Sequence, residues 1–192
     1  IPTYQRPHYF RLALDSVLAQ TYRNLDIFIT DNSHNKETAD MMQRDFSDDP
    51  RIHYEHHPDF DATGNWLRAR AYDNPRAKYV NWLMDDDLFL PSKIGTMMDC
   101  FFANPDLSIV TSYRRLIDAY GVNLPDFPFS RPVASQNVKI NGASAGRSIL
   151  LNQVNFIGEP TTALVRKSLL LDGHDLGWTG REGKYLVSDF PM

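Results

Sequence analysis

The sequence predicts an α/β fold in which a mostly parallel sheet carries helices on both faces. Three observations predict it. Short apolar, β-branched runs alternate with helix-periodic segments from the start of the chain to Tyr113. The runs end in turn formers, as in Asp31-Asn32-Ser33, where buried strands stop. Finally, 192 residues at 42% hydrophobic content are enough to bury one core. Such alternation implies right-handed βαβ crossovers, a Rossmann-like arrangement whose ligand site is expected at the carboxyl edge of the sheet.

The elements follow in order. Pro2-Thr3-Tyr4 closes a first strand, and Pro7 stands where a helix begins without losing a hydrogen bond. Phe10, Leu14, Val17 and Leu18 then recur at helical spacing as far as Gln20. Leu25 to Thr30 reads as a buried strand, Lys36 to Phe46 as a helix, Arg51 to His56 as a strand and Thr63 to Tyr72 as a helix. Lys78 to Met84 (KYVNWLM) is the next strand, a helix runs from Pro91 to Phe102, and Leu107 to Tyr113 is a further strand. From Asp118 to Ala145 the text turns to Pro, Asn, Ser and Gly without periodicity, an irregular excursion of the kind that serves as a lid. A short helix over Ser148 to Val154, a strand over Thr162 to Val165 and a helical turn over Lys167 to Leu171 complete the reading. No linker divides the chain, so one domain over residues 1–192 is expected.

Composition excludes some classes. A formal charge of -4 without any Lys/Arg block excludes a phosphate-backbone binder, and no nucleic-acid partner is expected. The lone Cys100 forms no intrachain disulfide, which fits a reducing, cytoplasmic setting. No run approaches the roughly 18 apolar residues of a membrane span. The chain opens on Ile1 rather than Met and stops abruptly at Met192, so it reads as truncated at both ends. Attachment to the inner face of the membrane would then come from regions outside it.

The chemistry is concentrated in Asp85-Asp86-Asp87, directly after the apolar strand. Three adjacent carboxylates repel one another, and burying any of them is costly unless a cation or hydrogen-bond donors compensate. A strand's two-residue period would point Asp85 and Asp87 the same way, toward one Mg2+ or Mn2+, with Asp86 turned toward a ribose. The plain alternative is an acidic turn at the start of the helix near Pro91. On the same predicted edge, Pro2, Thr3 and Tyr4 meet Asp31. The Tyr4 ring suits the face of a pyrimidine, and the Asp31 carboxylate suits its ring N–H. Asn65 and either Arg68 or Arg70 would add polar contacts; each also reads as a cap or a solvated face.

The opening IPTYQRPHYFRLALDSVLAQTYRNLDIFITDNS resembles the start of the inverting family 2 glycosyltransferases, which carry a P-T-Y-N-R-P strand end, S-V-L-A-Q-T-Y and a strand ending D-N-S. The resemblance extends along the chain. It implies the GT-A, or nucleotide-diphospho-sugar transferase, fold, with residues 1–113 as the nucleotide-binding half and 114–192 as the acceptor-side half. It also implies that Pro2, Thr3, Tyr4, Arg6, Asp31, Asn65, Arg68, Asp85 and Asp86 bind the sugar nucleotide. In the D-x-D position, Asp87 and Asp85 would hold a divalent metal. Phe156-Ile157-Gly158-Glu159-Pro160, followed by Thr161-Thr162-Ala163-Leu164-Val165-Arg166, resembles the family's acceptor-side strand, represented by Gly158, Glu159 and Pro160. Val187-Ser188-Asp189 resembles the segment with the catalytic base, making Asp189 the proton acceptor. The donor so implied is a nucleotide-diphosphate sugar, a uridine diphosphate sugar first. The acceptor is a carbohydrate, lipid-linked or protein hydroxyl, the setting being cell-surface polysaccharide synthesis. Gln5 replaces the usual Asn, and Met84 stands where many relatives carry an additional Asp, which leaves open which Asp ligates the metal.

Two other classes compete with transfer. A nucleotidyltransferase that makes sugar nucleotides would show an early Gly-rich loop, and the first glycine here is Gly64. A non-catalytic Mg2+-binding module would cluster its acids after the first strand, whereas these follow the fourth.

Overall fold

The computed structural model describes residues 1–127, 130–132, 134–153 and 155–171. Two three-stranded sheets are present. The first is wholly parallel, in the order β1 (Pro2–Thr3), β2 (Ile27–Asp31), β3 (Ile52–His56). β2 lies at its centre with every residue buried, which is why IFITD is nearly continuous in apolar and β-branched residues. Its register pairs Thr3 with Asp31 and Asp31 with His56, bringing three strand ends to one rim.

Helices α1 (Pro7–Leu18), α2 (Glu37–Asp45) and α3 (Ala62–Ala71) alternate with these strands as the sequence predicts. α1 starts with Pro7 in its first turn and buries Phe10, Ala13, Leu14 and Val17. α2 buries Thr38, Met41 and Met42. α3 is capped by Asp61, whose side chain accepts the Gly64 N–H at 2.7 Å.

The second sheet orders β4 (Tyr79–Val80), β6 (Ala163–Arg166) and β5 (Ile109–Thr111), with β6 antiparallel to both neighbours. β4 and β5 thus run parallel to each other, joined through α4 (Lys93–Ala103), but a later strand fills the place between them. Two expectations are corrected here. The strand over Lys78 to Met84 shortens to Tyr79–Val80, because the Asn81 amide donates to the carbonyls of Thr161 (3.1 Å) and Ala163 (2.6 Å) in place of a backbone ladder. Trp82 and Leu83 stay buried without a ladder. The helix expected at Ser148 begins earlier, as α5 (Gly142–Asn152), because Asn141 caps it by accepting the N–H groups of Ala143 and Ser144. Within the irregular excursion, Ile117 and Asn123 form a single bridge around Gly121, which takes the positive φ of +80° that its turn requires.

α4 buries Ile94, Met97, Met98 and Phe101. These join Phe10, Leu14, Ile27 and Ile29 from the first sheet's side and Leu83 and Leu164 from the second's in one cluster. The rim of β1 and β2 and the turn after Leu83 are therefore fixed to a shared core. α6 (Ser168–Leu171) follows β6. Among the described residues no helix is long and apolar enough to cross a membrane.

Candidate active site

The three aspartates stand on a turn, closed by the Asp87 N–H donating to the Met84 carbonyl at 3.2 Å. A turn has no two-residue alternation, so Asp85 and Asp87 do not face the same way. Asp85 points back to β1: its Oδ2 accepts the Thr3 hydroxyl at 2.9 Å and the Tyr4 N–H at 3.4 Å. Asp86 is exposed and receives Arg6 Nη1 at 3.0 Å. Arg6 also lies 3.6 Å from Asp85 Oδ1, so one guanidinium bridges two of the acids. Asp87 turns to the other sheet, where its Oδ2 accepts the Thr161 hydroxyl at 2.5 Å. Burial raises the Asp85 carboxyl above its ordinary range, opposed by the Thr3 hydrogen bond and the Arg6 charge. Burial likewise raises Asp87, opposed by Thr161 and reinforced by the charges of Asp86 and Glu159.

The first strand end is stitched to the second. Gln5 takes a positive φ of 50°, and its N–H donates to Ser33 Oγ at 2.8 Å. Asn32 N–H donates to the Thr3 carbonyl at 3.2 Å. Tyr4 is left 43% exposed, in a T-shaped contact with His34 at 5.7 Å between ring centroids. Pro2 pairs with Thr30 and is buried beneath this rim.

Three predicted nucleotide contacts are placed differently. Asp31 has no exposure, and its two oxygens accept the Tyr54 hydroxyl (2.7 Å) and the Ser33 N–H (2.8 Å). As placed, the carboxylate organises the loop after β2. Asn65 is buried between strands, accepting the Thr30 hydroxyl at 2.6 Å and donating to the Thr3 carbonyl at 3.2 Å. Arg68 makes a two-pronged pair with Glu55 (2.7 and 2.5 Å) and lies over the Phe28 ring at 4.7 Å. The last two fasten α3 to the first sheet. Sequence spacing put them near the rim but could not show that neighbouring strands consume their polar groups.

On the side where the acceptor is expected, Gly158 takes a φ of +95°, and Glu159 lies 3.1 Å from Arg114. Glu159 and Pro160 rim a cavity of about 120 Å³ walled by Trp66, Trp82, Ile109 and Val165. Thr161 falls within the stretch that resembles the family's acceptor-side strand, but neither it nor Arg114, one of an Arg-Arg pair, carries a local signal of its own; only the fold brings them beside Asp87. Asp189, the predicted base, lies outside the described residues.

The donor set can be tested against a divalent cation. Among the described residues, no three His, Cys, Asp or Glu side chains converge into a protein cage. Mg2+ sites of nucleotide enzymes need no cage, since one or two carboxylates suffice when substrate phosphates and water complete the shell. Asp87 fits that pattern: it is half-buried, beside two other acids, and its ionised form is disfavoured as it stands. Asp85 fits less well, being occupied by Thr3, Tyr4 and Arg6.

Comparison with known proteins identifies a family. The family model described as "Glycosyl transferase family 2" matches residues 1–172. A protein of Rickettsia felis named "Uncharacterized glycosyltransferase" is 31% identical over 159 residues, covering 79% of this chain and 26% of its own length. A similarly named Rickettsia typhi protein is 29% identical over 137 residues, covering 68% and 41% respectively. The "GalNAc(5)-diNAcBac-PP-undecaprenol beta-1,3-glucosyltransferase" of Campylobacter jejuni is 26% identical over 98 residues, covering 51% and 32%. The chain therefore spans less than half the length of these curated relatives.

Proposed function

We propose, from the premise that this chain belongs to glycosyl transferase family 2, that it moves a sugar from a nucleotide-diphosphate donor to an acceptor hydroxyl, with a divalent metal and inversion at the anomeric carbon. The observation that carries this reading is Asp87: a half-buried carboxylate at the meeting of the two sheets, flanked by Asp86 and Glu159, whose added negative charge a bound cation would offset. Bound Mg2+ or Mn2+ would supply positive charge against the negative charge that builds on the departing diphosphate.

The chain's own groups divide the remaining work. Asp87 would hold the cation, with Asp86 and the exposed Tyr4 ring toward the nucleoside. Arg6, now bridging Asp85 and Asp86, stands where it can donate to phosphate oxygens. As the acceptor oxygen bonds to the anomeric carbon, the bond from that carbon to the diphosphate breaks, and Asp189 takes the acceptor's proton. Glu159 would orient the acceptor, with Gly158 and Pro160 shaping its loop. A carbohydrate acceptor carried on a lipid is the class to test first, given the undecaprenol in the name of the Campylobacter relative.

The test is calorimetric titration of UDP with and without Mn2+. Wild-type protein is expected to bind UDP more tightly with the metal, and Asp87→Ala to lose that gain. Equal wild-type affinity in both conditions would overturn the metal assignment.

A further inference from the structure

Thr161 is buried in the 3-10 turn Pro160–Thr162, and its hydroxyl is used twice. It accepts the Met84 N–H at 3.2 Å and donates to Asp87 Oδ2 at 2.5 Å. The segment that presents it is pinned from several directions. Asn155 Oδ1 accepts the N–H groups of Ile157 (3.1 Å) and Gly158 (3.2 Å), and its amide donates to the Gly158 carbonyl at 3.1 Å. Ser112 N–H donates to the Thr162 carbonyl at 3.0 Å, and Thr162 Oγ1 lies 2.7 Å from the carbonyls of both Ile157 and Glu159. A Cβ on Gly158 would meet Thr162 Oγ1 at 2.5 Å and Arg114 Nη1 at 2.7 Å, so the segment closes this tightly only with glycine there. A rigid turn is thus built to deliver one hydroxyl to one carboxylate, from the acceptor half of the chain to the acid turn of the donor half.

We propose that Thr161 is a positioning residue for Asp87, its hydroxyl holding Oδ2 so that Oδ1, which receives no hydrogen bond from the described residues, is presented to the divalent cation. The inference rests on the metal reading above. Carboxylates that ligate metals are oriented by hydrogen bonds of their own, and losing such a partner typically weakens metal binding about 10- to 100-fold. Thr161 also connects the acceptor loop mechanically to the cation site, since Glu159 and Pro160 precede it directly.

The test measures Mn2+ affinity of the full chain with UDP present, by calorimetry or by the electron paramagnetic resonance of free Mn2+, beside UDP affinity in EDTA. Thr161→Val, which keeps the shape and removes the hydroxyl, is expected to weaken Mn2+ binding about 10-fold or more while UDP affinity in EDTA is unchanged. Thr161→Ser, which keeps the hydroxyl, is expected to restore Mn2+ affinity to within about threefold of wild type. Wild-type Mn2+ affinity in Thr161→Val, or a serine variant as weak as the valine one, overturns the proposal and leaves the metal reading standing. If the valine variant fails to fold, Thr161→Ala is judged on the same terms. A wild-type chain that binds UDP but no Mn2+ removes the metal reading, and this inference with it.

Discussion

Lys93 shows how much one side chain depends on surroundings that its sequence neighbours do not reveal. In the first turn of α4 its ammonium lies 4.4 Å from the Phe89 ring centroid and 3.3 Å from Met97 Sδ. Burial lowers its pKa from 10.5 to about 8, against the attraction of Asp87. A shift of that size corresponds to about 3 kcal/mol against the charged form. The sign follows from proton counts. Between pH 8 and 10.5 the unfolded chain keeps a proton that the folded chain has lost, so stability rises with pH across that window. Lys93→Met is therefore expected to raise Tm at pH 7 by a few degrees, an advantage that shrinks toward pH 10.5, as thermal unfolding at both pH values would read. A gain at pH 7 that persisted unchanged at pH 10.5 would show that the cost is not electrostatic. From the sequence alone this lysine is an ordinary first-turn residue, because its desolvation comes from Phe89 and Met97 folding over it.

Between elements, the joint of α1 and α4 rests on Gln20. Its side chain is fully buried; Oε1 accepts the Ile94 N–H at 3.0 Å, and Nε2 donates to the carbonyls of Ser16 (3.1 Å) and Leu90 (2.8 Å). Ser92, the N-cap of α4, makes no side-chain capping bond, so Gln20 serves an orphan donor of that helix from a distance. Gln20→Met would fill similar space and leave the Ile94 N–H without this partner, while the Leu90 carbonyl keeps the Lys93 N–H, a loss of about 1–3 kcal/mol. A lowered urea midpoint with an unchanged slope is the expected reading. At this scale much of the fold was legible. Helices α1, α2 and α3 and strands β2 and β3 follow from local periodicity and turn chemistry, which the fold did not override. The insertion of β6 between β4 and β5 was not legible, because strand order depends on long-range pairing that no local pattern encodes. The same division holds for the rim. Thr3, Tyr4 and the acid turn were readable as neighbours because they end or follow predicted strands, while Arg6 entered only through the family resemblance. The inward turn of Asp31 depends on Tyr54, and the capture of Arg68 on Glu55; both partners come from β3, whose facing was not specified.

Across the whole molecule, protonation acts with opposite signs on the two sides of β1. Glu55, held by Arg68 and His57, has its carboxyl lowered chiefly by the Arg68 hydrogen bonds. Asp26 is lowered too: burial pushes it up, but hydrogen bonds from Asn74, Tyr72 and His53 prevail. Groups lowered in the fold contribute stability above their unfolded pKa, and the contribution fades as pH falls through the folded value. Asp85 and Asp87, raised by burial, are instead relieved by acid. Acid should therefore loosen the fastening of α3 to the first sheet while easing the rim. Glu55→Gln is expected to lower Tm at pH 7 and to flatten its decline below about pH 4.5, since the variant has no carboxylate left to protonate there. An equally steep decline in the variant would place the acid sensitivity elsewhere. The wall of the cavity beside Glu159 has a separate practical consequence. Trp66 and Trp82, with ring centroids 6.3 Å apart and tilted by 49°, line that cavity. The protein thereby carries its own fluorophores beside Glu159, and on the acceptor role proposed for that residue a change in their emission would track an incoming acceptor without any attached label.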